Sequence, residues 1–101
     1  VGTLPTYESD TVLLFDMIKA LLVARGLAVH FTIIETNINI PTDAPASLVF
    51  VRAAQENIAA TRADTSIISL DDITAPNTLH YGSGQTNTGG ARLATSIVAR
   101  Y

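Results

Sequence analysis

The residues best equipped for chemistry lie between Leu79 and Ala94, LHYGSGQTNTGGARLA, which crowds a histidine, an arginine and four glycines into one span. Two chemistries suit it. Glycines and small polar residues running into a helix can cradle a phosphate, because free backbone N–H groups and the helix dipole attract an anion. Alternatively, His80 lies in a loop after one apolar run and before a helix, where reactive groups of open α/β sheets collect, and is placed to act as a base. Gly84 to Gly89 has the glycine spacing of a P-loop, but Gly90 and Ala91 stand where that motif needs Lys and Ser or Thr. A dinucleotide fingerprint belongs in the first strand-to-helix turn, and here the loop precedes the last helix. A purely structural loop, with Thr88 capping that helix, is the third reading.

The bulk properties narrow the field. A chain of 101 residues is long enough for one domain and too short for two. Only 15% of residues are charged and the mean hydropathy is +0.32, sparse polarity for a small protein that must cover its own surface. With net charge −3 and scattered Lys and Arg, nucleic acid is not an expected partner. No apolar run reaches the roughly 18 residues that span a bilayer. The opening VGTLPTYESD has neither a starting Met nor a basic leader, which reads as a processed or truncated chain. Without Cys, disulfides and thiol catalysis are excluded, and two distant histidines predict no metal site and no cofactor. His30, inside LAVHFTII, reads as a core or strand-edge histidine.

These residues need elements to hold them. TVLLFDMIKALLVARG predicts a helix capped by Ser9 or Asp10 and stopped by Gly26, with apolar residues around most of its circumference. LAVHFTIIET reads as a strand buried on both faces of a parallel sheet. A second helix is expected from Ala44 to Arg62, capped by Thr42 or Asp43, with Pro45 in its first turn and Leu48, Val51, Ala54 or Gln55, and Ile58 as its buried stripe. TSIISL is a second buried strand, followed by a long polar loop from Asp71 to Gly90 and a last helix over GARLATSIVARY. The order predicts an α/β fold with right-handed crossovers. Two buried parallel strands do not complete a sheet, so the chain reads as half of a domain.

The blocks YESD (Tyr7 to Asp10), VRAAQENIAA (Val51 to Ala60), TSIISLDDI (Thr65 to Ile73), NTLH (Asn77 to His80) and GARLA (Gly90 to Ala94) occur in an order that resembles the C-terminal half of the SGNH (GDSL-like) hydrolases, in their sialate O-acetylesterase and acetylxylan esterase branch. The resemblance covers nearly the whole chain. It implies a three-layer α/β/α sandwich with a parallel, flavodoxin-like sheet, in which residues 1–101 form the C-terminal half of one domain. It also implies hydrolysis of an acetyl ester on a carbohydrate, with an extracellular or virion-associated setting. The catalytic serine would come from an N-terminal half of the domain or from another chain. By resemblance, His80 takes the proton of that serine, and an acid three residues earlier orients the imidazole.

Three departures qualify what the resemblance implies. No serine of this chain sits in a nucleophile block. The acid slot holds Asn77, which can bond an imidazole but cannot balance its charge; the equivalent change in a protease triad costs about 10⁴ in rate. Either the site is impaired or another carboxylate serves, for which Glu8, Asp71 and Asp72 are the candidates, with Glu8 favoured by the position of its block, although a carboxylate there equally serves the helix dipole. Tyr7 stands where the family has glycine, so no oxyanion donor is assigned. The alternative function is a degenerate module of the same fold, binding carbohydrate or serving assembly.

Overall fold

The computed structural model describes residues 4–38, 45–73 and 83–100. After a 3-10 turn at Leu4–Thr6 come helix α1 (Tyr7–Val23), strand β1 (Phe31–Ile34), helix α2 (Pro45–Thr61), strand β2 (Thr65–Ile68) and helix α3 (Ser83–Val98). The fold is α/β, as expected: β1 and β2 pair in parallel, Phe31 with Thr65 through Ile34 with Ile68, as a two-stranded sheet.

Helix α1 starts earlier than Ser9 or Asp10. Thr6 is its N-cap, the Ser9 hydroxyl donates back to the Thr6 carbonyl at 3.0 Å, and Glu8 and Asp10 fall in the first turn, where carboxylates complement the dipole. Its end is the expected one. Gly26 has φ +78, and Leu27 N–H to Leu22 O (3.1 Å) with Gly26 N–H to Val23 O (2.9 Å) closes a Schellman turn that requires the left-handed residue. Helix α2 begins at Pro45, whose missing N–H costs nothing there. Ala54, Gln55 and Ile58 are buried, and Ile58 is wholly enclosed. The caps expected at Thr42 and Asp43 lie outside the described residues.

The strands are shorter and barer than their sequence suggests. Only Phe31–Ile34 of the ten-residue run is strand, its side chains are half-buried, and Ile34 is 46% exposed. Among the described residues each strand has a single partner, which leaves one edge of each without a neighbour there. Leu13, Leu14, Met17 and Leu21 of α1 are likewise more than half exposed.

The amino edge of the sheet is held by charge and aromatic stacking. Arg62 bonds Asp64 through Nε and Nη2 (3.0 Å each) and Asp16 through Nη1 (2.7 Å), while Lys19 reaches Asp64 at 2.7 Å. The Phe15 and Phe31 rings stack at 4.2 Å with 5° between planes, and the Arg62 guanidinium lies 5.9 Å from each centroid.

The largest correction concerns α3. The glycine-rich span expected to be loop up to Gly90 is helical from Ser83. Thr88 therefore does not cap; its hydroxyl bonds the Gly84 carbonyl one turn back at 3.1 Å. The helix survives its glycines because it is docked. A Cβ on Gly89 would lie 3.3 Å from Leu70 Cδ1, and Arg92 grips Asp72 with two bonds (2.6 and 2.5 Å) and the Ser69 carbonyl with a third (3.0 Å). Gly90 has no such neighbour. Gly90→Ala is therefore expected to stabilise the protein by about 0.5–1 kcal/mol through reduced backbone freedom, with Gly89→Ala giving distinctly less. Urea unfolding of the two variants checks this; equal gains would mean that Leu70 does not press on the helix.

Candidate functional site

The carboxyl edge of the sheet gathers polar residues from four segments. Glu35 leaves β1 with its N–H on the Ile68 carbonyl (2.9 Å), so the next residues cross above the strand ends. Asn37, 2% exposed, donates from Nδ2 to the carbonyls of Leu70 (2.7 Å) and Ile73 (2.6 Å). That one amide ties the exit of β1 to the turn after β2.

Arg52 reaches the same edge from α2. Nη1 donates to Thr36 O (2.9 Å) and Asp71 Oδ1 (2.7 Å) and Nη2 to Asp71 Oδ2 (2.6 Å), while Nη2 pairs by charge with Glu35 Oε2 at 3.0 Å and Nε with Glu56 Oε1 at 3.4 Å. One helical turn away, Gln55 accepts the Thr36 N–H at 2.8 Å and donates to the Tyr7 hydroxyl at 3.3 Å. The YESD, VRAAQ and SLDD segments thus meet each other here, together with the Glu35–Asn37 stretch.

The electrostatics follow from these partners. The Arg52 hydrogen bonds hold Asp71 below the usual carboxylate range, and Arg92 does the same for Asp72, down to about 2. Both are ionised at neutral pH and each is gripped by an arginine. Burial, reinforced by the neighbouring Glu56 and opposed by Arg52, pushes Glu35 up to about 7.

Comparison with family models, curated proteins and solved structures finds no match to this chain.

Of the predicted site residues, Glu8 is half-buried beside Pro5, Phe50, Ala53 and Ala54, and its carboxylate accepts a hydrogen bond from the Asn57 amide. Its neighbour Tyr7, not Glu8 itself, is the residue that joins the edge network through Gln55. His80 and Asn77 lie outside the described residues. His30, at the amino edge, is half-buried with Nε2 3.2 Å from the Ser66 hydroxyl, and burial lowers its pKa, so it is a neutral strand-edge histidine. Among the described residues no cluster of His, Cys, Asp or Glu is arranged to hold a metal, and no helix is long and apolar enough to cross a membrane.

Sequence reasoning assigned no functional role to Glu35, Asn37 or Arg52, and gave Gln55 only a place in the buried stripe of the second helix. One signal was present: the polar triplet Glu35-Thr36-Asn37 directly follows the apolar run of a parallel strand, where the carboxyl edge must fall.

Proposed function

We propose that this chain is the C-terminal half of an SGNH-type carbohydrate O-acetylesterase domain, acting with an N-terminal half that supplies the nucleophilic serine. The observation that carries the proposal is the convergence of Tyr7, Arg52, Gln55 and Asp71, from three of the blocks that resemble the family, on one edge of a parallel sheet. Exposed strand and helix surface in a two-stranded sheet is what half of a three-layer sandwich would present to its other half.

In this scheme His80 removes the serine proton as the oxygen attacks the acetyl carbonyl, then returns it to the departing sugar oxygen. A water, deprotonated by the same imidazole, releases acetate from the acyl-serine. Neither step calls for a metal or cofactor. The weak point is the acid. Asn77 cannot offset the imidazolium charge, Asp71 and Asp72 are committed to arginines, and Glu8 would have to give up Asn57.

That arrangement of acids also favours a second reading, a module of the same fold that binds carbohydrate or serves an assembly without catalysing. Release of p-nitrophenol from its acetate by the complete protein separates the two. The esterase reading expects activity that His80→Ala abolishes and Asn77→Asp raises; equal rates for wild type and His80→Ala would sink it.

A further inference from the structure

We propose that the outward face of α1 is a docking surface for a second copy of this chain, which lies against it antiparallel so that Asp10 of each copy meets Arg25 of the other. The inference does not rest on the esterase reading, and it leaves the open strand edges to the N-terminal half of that scheme.

The surface is a single row. Asp10, Leu14, Met17, Leu21 and Arg25 follow one another at intervals of four, three, four and four, which keeps them on one side of the helix, with Ile18 beside them. Leu14, Met17 and Leu21 are more than half exposed and Ile18 is 36% exposed. Another side of the helix holds to the rest of the chain, through Phe15 on Phe31, Lys19 on Asp64 and Asp16 on Arg62. Four large apolar side chains in one exposed row are a patch, unlike the single leucines of an ordinary surface.

The charges identify what covers it. Glu8 is turned to Asn57, Asp16 to Arg62 and Lys19 to Asp64. Among the described residues, that leaves Asp10 and, just past the helix end, Arg25 as the charges of this segment without a side-chain partner; Arg25 donates only from Nη1, to the Leu21 carbonyl at 3.0 Å. Both are exposed, and they stand equally far on either side of the midpoint between Met17 and Ile18. A two-fold axis through that midpoint sets Asp10 opposite Arg25, Leu14 opposite Leu21 and Met17 opposite Ile18, each pair occurring twice. The row is therefore complementary to its own reverse, with acid at one end, base at the other and apolar surface between. An unrelated protein or the other half of this domain has no need of that symmetry, whereas a second copy requires it. Alternating steps of three and four are also those of helices that pack at a shallow angle.

The test is the mass of the complete protein by sedimentation, at concentrations up to about 100 μM, where a modest contact of this kind is populated. A reversible dimer is expected. Leu14→Glu, which sets a carboxylate against Leu21 of the other copy, should raise the dimer Kd at least about tenfold. Asp10→Arg places arginine against arginine twice per dimer and should raise Kd about fivefold to tenfold, and adding Arg25→Asp should bring it back to within about twofold of wild type. All three positions are exposed, so the variants keep the fold. A protein that stays monomeric overturns the proposal: if Leu14→Glu then lowers its resistance to urea, the N-terminal half covers the row, and if it does not, the row is left to another protein or to solvent. A dimer indifferent to Leu14→Glu, or one that the double charge exchange fails to rescue, overturns it equally.

Discussion

Arg52→Met is expected to destabilise the complete protein by about 3–5 kcal/mol at pH 7, the range for removing one partner of a largely buried ion pair. Most of that cost lies in what is left behind. Glu35 and Asp71 would face each other without a cation, and the Thr36 carbonyl would lose its donor. Because the Glu35 carboxyl becomes neutral in acid, the same substitution should cost less at pH 5 than at pH 8. Arg52→Lys restores the charge but not the planar fork that holds both Asp71 oxygens and the Thr36 carbonyl, and should recover only part of the loss. Urea unfolding at the two pH values measures all three; a loss below about 1 kcal/mol, typical of exposed ion pairs, would show that the cluster is solvated.

Asn37→Ala is the second large effect. The amide donates to two carbonyls, Leu70 O and Ile73 O, in a region where Asn37 is 2% exposed and both neighbours are buried. Leu70 O keeps the Ile73 N–H, whereas Ile73 O loses the Asn37 donor, and leaving a buried acceptor unsatisfied costs about 1–3 kcal/mol, the loss expected here. Asn37→Asp is expected to be worse, since an ionised carboxylate would point its oxygens at carbonyl oxygens. Amide exchange distinguishes this from general loosening. The Ile73 N–H, bonded to Leu70 O at 2.9 Å, should lose protection in Asn37→Ala more than the α1 amides do. Equal loss throughout would refute a local tie.

These two residues also show why the sequence was legible in some places and silent in others. Apolar runs and stop signals report local preferences, so three helices, two strands, Gly26 and the entry at Pro45 could be read directly. Helix α3 misled because glycines at positions 84, 89 and 90 argue for loop on propensity alone, whereas docking on Leu70 and the Asp72–Arg92 pair decides the matter at long range. The edge cluster was harder still. Glu35, Arg52 and Asp71 are separated along the chain and meet only through the crossover, and nothing in the type or spacing of Asn37 announces that it serves two carbonyls more than thirty positions away. Glu8 was favoured from its block, and it is adjacent Tyr7 that enters the network.

The Asp16–Arg62–Asp64–Lys19 chain at the amino edge acquires a meaning beside the Arg52 cluster at the other end. Lys19 first, then Arg62, hold Asp64 well below the usual carboxylate range, so its contribution is present above about 4 and fades only as pH falls further into acid. Glu35 at the carboxyl edge responds in the opposite direction: pushed up to about 7 by burial, its contribution is lost as pH climbs through neutrality. The two ends of the described sheet are thus tuned to opposite changes of pH, with the Phe15–Phe31 stack lying at the acid-sensitive one.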